Sequence, residues 1–433
     1  MRRRVFLSAA VAGALAVGLA GCNSAVPQSS GGSGSGTQIQ VLSNFTSDVA
    51  RGQVLDKLIK EFNAQHKGEY TVVSKSQPDW PTLQQQIRSS ISAGSPADVF
   101  LYNYNPTDLS REKSGKLMDW SKYLDADSTW KDRFKADNLK SLTVGGQTVA
   151  IPADQSPALF YYNKDLFEKA GIDAFPTTWG EFLADAQKLK AKGIPAIALQ
   201  TADDAWYAMN AFSYAALAHG GADATAVDAD LDSPAIKSSA ADVQKLLADY
   251  APKDAVGGNY AAASADFLGG RAAMVIDGPW LISSVQSKMS NKDQIGVAAG
   301  PSAPGGAEAG SIVTDSLNAW GAAKQTDPKK TKAVVAWMKF FTSNESAAEM
   351  AVDGQYPMAV QTDLTDAQKA KAPSQMASFL DIANKAPSVV VNVGRNLNSS
   401  TQAEVPSMLE SMALGKTTPA AFAAQLQKSN SSK

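Results

Sequence analysis

From residue 39 onward, short β-type runs alternate with segments whose apolar residues recur at helical spacing. This alternation constrains the fold more than any other feature of the chain. Ile39–Leu42, Tyr70–Val73 and Val99–Tyr102 are strand-like. Between them, Val54, Leu55, Leu58, Ile59 and Phe62 line one helix face, and Leu83, Ile87 and Ile91 line another. The βαβαβ order predicts an α/β architecture, with a mostly parallel sheet covered by helices on both faces. Further strands are expected at Val149–Ile151, Leu159–Tyr162, Ile194–Leu199, Ala272–Ile276 and Ile295–Ala298. Further helices are expected at Trp179–Lys192, Ala235–Tyr250, Lys329–Phe341 and Val405–Leu414. The first of these opens with Thr178-x-x-Glu181, a capping box. Parallel sheets bind ligands at the carboxyl ends of their strands. That directs attention to Ser43–Thr46 and Asn103–Asn105.

Composition narrows the chemistry. The 433 residues suffice for two or three domains with sizeable cores. One cysteine forbids an intramolecular disulfide and a thiolate metal cluster. The two histidines, His66 and His219, lie far apart without metal-ligand spacing, which leaves little room for a zinc enzyme or a Ser-His-Asp hydrolase. Both read as residues near helix C-termini. A net charge of −2 offers no basic excess for nucleic acid. Asp228, Asp230 and Asp232 resemble the start of a calcium loop, but Ser233 and Ser239 stand where glycine and glutamate are needed, so the segment reads as a solvated acidic turn.

The first segment reads as targeting. Arg2–Arg4 form a positive n-region, and the apolar run Val5–Leu19 has the size of a secretory h-region. Spanning a bilayer takes about 20 apolar residues, so the run is short for that. Leu19-Ala20-Gly21-Cys22 resembles the lipobox of bacterial lipoproteins, which implies cleavage before Cys22 and lipid on its thiol. Arg3-Arg4-Val5-Phe6-Leu7 also resembles a twin-arginine signal, and the general secretory route stays open beside it. Loss of residues 1–21 removes three arginines and no acid, so the net charge moves from −2 to −5. Attachment to the outer face of the cytoplasmic membrane would then rest on lipid and not on charge. Residues 22–36 read as a Gly/Ser tether, averaging about 20 Å end to end as a flexible coil. Its glycines follow no strand and precede no GK[ST], so they form no phosphate loop.

Three later blocks carry a family resemblance. Phe160-Tyr-Tyr-Asn-Lys-Asp-Leu-Phe167, with Gly171-Ile172 and Pro176-Thr-Thr-Trp-Gly-Glu-Phe182, is similar to a block of the extracellular solute-binding proteins that include maltose-binding protein. Phe267 to Trp280, reading FLGGRAAMVIDGPW, resembles the family's F-x-x-G-x-A-A-M-x-x-x-G-x-W block. Gly415-Lys-Thr-Thr-Pro419 before a final helix resembles its C-terminal feature. The resemblance implies a two-lobed periplasmic-binding-protein-like fold with a ligand cleft between the lobes. One lobe would hold 37–152 and 311–344, the other 153–310 and 345–433. It also implies an oligosaccharide ligand, the permease subunits of an ABC transporter as partners, a monomer, and no cofactor or metal. Lobe closure would bury the solute and signal its presence.

By the same resemblance, Trp280 is the indole that stacks on sugar, and Trp206 is a second cleft aromatic. Asn44, Phe45 and Thr46 follow the first strand, and Asn103, Tyr104 and Asn105 the third; each trio is expected to supply one contact. Asp154, with Gln155 and Ser156, would accept hydrogen bonds from sugar hydroxyls. One departure from the family stands out: no aromatic residue occurs between Phe379 and Phe422. Asn392, Arg395, Asn396 and Asn398 occupy that stretch, which argues against a malto-oligosaccharide and makes Arg395 a candidate bidentate hydroxyl donor. Trp179, Trp320 and Trp337 read as core. The leading expectation is saturable binding of a neutral sugar without turnover. The alternatives are the same fold binding a non-sugar solute, a secreted glycoside hydrolase, and a structural lipoprotein or adhesin.

Overall fold

Period-two alternation on the first strands sets the architecture. In the computed structural model, β1 (Thr37–Ser43) sends Ile39 and Val41 to one apolar cluster and Leu42 to another on the opposite face. Residues 36–104, 115–154, 157–302, 308–315, 318–362 and 364–431 are described, the side chain of Asp137 excepted. The leader, Cys22, most of the tether, Asn105, Gln155 and Ser156 lie outside the described residues.

After β1 come α1 (Ala50–Gln65), β2 (Tyr70–Ser76), α2 (Trp80–Ala93) and β3 (Val99–Asn103). β1 pairs in parallel with both β2 and β3. α1 buries the five apolar residues of its expected stripe, and α2 buries Leu83, Ile87 and Ile91. The chain then forms a hairpin of β4 (Thr143–Val144) and β5 (Gln147–Thr148) and the strand β6 (Ala150–Pro152).

A second sheet begins with β7 (Pro157–Asn163). Then follow α3 (Trp179–Ala191), β8 (Ile197–Ala198), α4 (Trp206–Gly220), α5 (Pro234–Lys245), α6 (Tyr260–Leu268), β9 (Met274–Asp277), α7 (Trp280–Lys288), β10 (Ile295–Ala298) and β11 (Ile312–Thr314). The chain returns through β12 (Asn318–Ala322), α8 (Pro328–Phe341) and α9 (Asn344–Val352). It ends with α10 (Ser374–Lys385), β13 (Val389–Val391), α11 (Ser399–Ala413) and α12 (Pro419–Ser431). The Thr178–Glu181 capping box is formed at the start of α3. α4 is buried from Trp206 to Ala218, as befits a helix that is apolar on all sides.

The first sheet runs β2-β1-β3-β12-β6, and the second runs β13-β11-β7-β9-β8 with β10 also on β7. The expectation of mostly parallel sheets needs correction. β12 is antiparallel to β3 and β6, and β7 is antiparallel to β9, β10 and β11. The reason is connectivity. A strand reached through a helix starts at the amino end of the sheet. β7 and β12 are each entered directly from the other sheet, so they start at the carboxyl edge. The passages β6 to β7 and β11 to β12 therefore lie at the same edges, and both sheets turn their strand carboxyl ends toward them.

Two segments sit otherwise than the expected division. β11, expected with residues 37–152, pairs into the second sheet. Residues 345–360, expected with the second group, pack Ala347, Met350, Tyr356, Met358 and Val360 into the core of the first sheet. Apolar residues at 347, 350 and 351 give α9 a face that docks beside α1, where Lys57 also reaches Glu349 at 2.6 Å. Trp320 and Trp337 belong to this core and Trp179 to that of the second sheet, as core tryptophans should.

Gly52 fixes the start of α1 against the loop after β1. A Cβ there would stand 1.9 Å from the Thr46 carbonyl oxygen, which is backbone and cannot swing aside. Gly52→Ala should lower stability by about 1–3 kcal/mol from overpacking, although alanine is the better helix former by ~1 kcal/mol. Urea unfolding of the two proteins checks this, and equal or higher stability of the variant would contradict it.

Candidate functional site

On the first sheet's side, polar groups collect at the ends of β1, β3 and β6. Asp154 follows β6 and is 2% exposed. Its Oδ2 accepts from Asn318 Nδ2 at 3.0 Å and from the Tyr356 hydroxyl. Asn318 Oδ1 accepts from Asn103 Nδ2 at 2.9 Å, and the Asn103 backbone N–H donates to Gln84 Oε1 at 2.9 Å. The chain of bonds thus runs from α2 through β3 and β12 to the first passage between the sheets. Phe45 stands edge-on to Trp320, with ring centroids 5.9 Å apart, and to Tyr356 at 4.9 Å. The Arg51 guanidinium lies 5.4 Å from the Phe45 ring centroid.

Among the described residues, this wall also gathers buried polar atoms without a hydrogen-bond partner. They are Asn44 Oδ1, Arg51 Nε, Asp154 Oδ1, Trp320 Nε1 and Gln355 Oε1. Each such atom costs about 1–3 kcal/mol when left unbonded. Concentration of five in one wall marks a surface shaped for a polar partner.

The second sheet's side is aromatic. Trp280 follows the turn after β9 and is half-buried. A Cβ on Gly278 would lie 2.4 Å from the indole, so the glycine is what lets the ring fold back over the turn. Trp280 Nε1 donates to the Tyr260 hydroxyl at 3.0 Å. Tyr260 in turn donates to Asp277 Oδ2 at 3.2 Å, and the Tyr207 hydroxyl donates to the same oxygen. Trp206 opens α4, with its ring 5.6 Å from Trp280 at an interplanar angle of 41°. Its Nε1 donates to Asp315 Oδ2 at 3.0 Å. Arg395 grips both oxygens of Asp315 and also reaches Asp204 at 3.1 Å. Asp315 lies in the second passage between the sheets, so this cluster ties that passage to α4.

Backbone strain marks the same region. Asp203, Ala205 and Gln355 are the described non-glycine residues with positive φ, at 58°, 51° and 52°. Ala205 and Gln355 directly precede Trp206 and Tyr356, and Asp203 lies three residues before Trp206. Left-handed backbone at such residues costs of order 1–3 kcal/mol and persists where surroundings over-determine it, often at ligand clamps.

Burial pushes the Asp154 carboxyl up to about 7, against the opposing pull of the Tyr356 and Asn318 donors. Burial likewise pushes Asp277 up to about 7, opposed by Tyr207, the Gly278 backbone N–H and Tyr260. The two Arg395 carboxylate partners hold its charge more firmly than burial opposes it.

The structure brings Trp206, Trp280 and Arg395 together on one wall, and Asp154, Asn103, Asn44 and Phe45 on the other. Phe45, at 3% exposure, serves that wall as packing. Tyr104 shares the side of Phe100 and Tyr102 and packs with them in the cluster under α2. Asn396 turns away, donating from Nδ2 to the Thr225 carbonyl at 2.9 Å. Asn392 bonds Asn210, and Asn398 caps α11. Arg395 is engaged by carboxylates and not held free for hydroxyls. His66 stacks on Phe62 at 4.1 Å, and His219 Nε2 sits 2.7 Å from Asp242 Oδ2. At the acidic turn Asp232 pairs with Lys237, and among the described residues no group of three metal-ligating side chains converges.

Sequence reasoning missed Arg51, Tyr207, Tyr260, Asp277, Asp315, Asn318 and Tyr356. Asp277 lies within the block quoted above and Arg51 in the first turn of the helix that follows β1, so a signal existed for both. Nothing local distinguishes Tyr260, Asp315 or Tyr356.

Comparison with known proteins agrees with this geometry. Residues 46–348 match the model of the family described as bacterial extracellular solute-binding protein. A putative binding protein of Brucella abortus is 29% identical over 282 residues, 61% of this chain and 64% of that one. A probable ABC transporter-binding protein of Deinococcus radiodurans is 27% identical over 281 residues, 62% and 64%. The chain thus spans somewhat less than two thirds of these relatives' length. The solved structure of a chitin oligosaccharide binding protein superposes with a TM-score of 0.78 at 23% identity, covering 91% of this chain and 98% of that one. The shared fold is two-lobed, with a cleft between α/β lobes.

The raised Asp154 pKa has a consequence for stability. The carboxyl holds its proton in the folded protein up to about pH 7, whereas an unfolded aspartate releases it near 3.9. Folding therefore takes up a proton between these values, and stability falls as pH rises through that window. Asp154→Asn keeps an acceptor for Tyr356 and Asn318 but cannot titrate. It should flatten the decline between pH 4 and 8 by up to on the order of 4 kcal/mol. Urea midpoints at each pH check this, and an unchanged slope would refute it.

Proposed function

The chain belongs to the bacterial extracellular solute-binding proteins, and from that premise we propose that it is the substrate receptor of an ABC importer for an oligosaccharide. It captures the sugar between its lobes and delivers it unchanged to the permease subunits. The observation that carries the sugar assignment is the half-buried Trp280 indole, backed 5.6 Å away by the buried Trp206 ring, together with the amide and carboxyl groups gathered at Asp154, Asn318 and Asn103. Flat aromatic faces suit the C–H face of a pyranose, while Asn and Asp side chains bridge its hydroxyls. The chitin-oligosaccharide-binding neighbour accords with this reading.

In this proposal one lobe is built on the sheet of β1 and takes in 345–360, and the other is built on the sheet of β7 and takes in β11. The protein acts as a monomer without cofactor. It is anchored through lipid on Cys22 to the outer face of the cytoplasmic membrane, with residues 23–36 as tether. Lobe closure signals occupancy to the permease.

A thermal-shift screen over plant, host and starch oligosaccharides tests the reading. At least one should raise the melting temperature, and incubation should release no new reducing ends. No shift with any sugar, beside a clear shift with an amine or phosphodiester, would overturn the sugar assignment, and new reducing ends would favour a hydrolase.

Trp280→Ala should weaken the sugar found by at least about tenfold, on the order of 1.4 kcal/mol or more, with the fold retained. Calorimetry that matches the parent would remove Trp280 from the stacking platform.

A further inference from the structure

Among the described residues, Arg51 is a charged group beside the carboxyl end of β1 whose Nε is buried without a hydrogen-bond partner. It is the second residue of α1, whose start faces the carboxyl end of β1. The N-cap is Val49, which offers no side-chain oxygen, and the first turn holds no acid. Sixteen residues of aligned peptide dipoles leave partial positive charge at that end. The guanidinium adds a full charge, and an arginine stays protonated even when burial opposes it.

Its surroundings do not neutralise it. Arg51 Nε is buried with no hydrogen-bond partner. Phe45 supplies only a ring face, at 5.4 Å. Asp48 is fully exposed and held by the Thr46 hydroxyl. Asp48, Asp154 and the hydroxyls of Tyr356 and Tyr260 act on Arg51 through space. Arg395 makes the contrast plain, since it is gripped by Asp315 and Asp204. A part-buried guanidinium whose Nε–H is buried without an acceptor suits a planar oxyanion, above all a carboxylate that can take two bonds from the fork.

Two neighbours define what carries the anion. Asn44 Oδ1 is a buried acceptor without a donor, which suits a hydroxyl beside the acid. Tyr260, within electrostatic reach of Arg51, bonds Trp280 on the opposite wall. Resting on the oligosaccharide reading above, we propose that the cleft selects a sugar bearing an oxyanion, a uronate carboxylate, held by the Arg51 guanidinium and the first N–H groups of α1. The proposal thus differs from the neutral sugar expected from sequence. A phosphate would satisfy the same donors, and the experiment separates the two sources.

The test compares the parent with Arg51→Gln by thermal shift and calorimetry. The probes are glucuronate, galacturonate and digalacturonate, neutral glucose, galactose and lactose, and inorganic phosphate with sn-glycerol 3-phosphate. The expected result is that a uronate binds the parent at least about tenfold more tightly than its neutral counterpart, and that Arg51→Gln abolishes the difference. Should Arg51→Gln not fold, Arg51→Lys keeps the charge without the planar fork and should lose most of the preference. Neutral sugars binding both proteins equally, with uronates no better, would overturn this inference while leaving the oligosaccharide reading standing. Arg51-dependent binding of phosphate or glycerol phosphate without any uronate would overturn the sugar carboxylate and the oligosaccharide reading together. No Arg51-dependent response to any of these anions would overturn the oxyanion site itself.

Discussion

One buried carboxyl joins the parts of this protein. Asp154 lies in the first passage between the sheets, Asn318 begins the strand entered by the second, and Tyr356 lies on the segment that leads toward the third. The backbone reinforces the same junction, since Asp154 bridges Met358 and the Ala359 N–H donates to the Ala153 carbonyl at 3.1 Å. Burying a carboxyl is costly unless it is bonded. Here the bonding groups come from chain segments about 160 and 200 residues away, so the cost can be offset only when all the passages are in place. The two strands entered directly, β7 and β12, then run against their neighbours.

The two walls of the cleft solve different problems. The wall on the second sheet is internally satisfied: Trp206, Trp280 and Arg395 have bonds within the protein, so the aromatic faces are held in fixed orientation. The wall on the first sheet leaves donors and acceptors open, with Arg51 and Asn44 among them. A rigid apolar platform facing an unsatisfied polar surface is the division of labour that a carbohydrate site needs, because a pyranose presents both kinds of surface. The left-handed residues at 203, 205 and 355 show that both walls hold their contact residues at some conformational cost.

Much of this was legible in advance where the information is local. The stripe of α1, the capping box of α3 and the apolar run of β3 follow from periodicity, composition and capping chemistry, and each appears close to its expected place. Trp280 was named from a family block and Trp206 from its place after a strand where the family resemblance implies a cleft aromatic, and their rings lie 5.6 Å apart. Tyr104 was named because it follows a strand, yet period-two alternation sends it with Phe100 and Tyr102 to the far side of the sheet. The same rule turns Asn103 to the opposite face, where its Nδ2 donates to Asn318 Oδ1. Arg395 was named from its residue type, but its electrostatic role depends on Asp315, 80 positions away.

The sequence by itself determined part of the helices and strands, β1 to β3 and α1 to α3 among them, and placed aromatic and amide residues at the carboxyl ends of strands. Those are consequences of side-chain size, period and short-range bonding. Only the tertiary structure decided which strands run antiparallel, which sheet takes β11, that Asp154 collects Asn318 and Tyr356, and that Arg51 Nε is buried without a hydrogen-bond partner among the described residues. Each of these depends on pairing between distant segments or on burial from water, and neither quantity is a property of neighbouring residues in the chain.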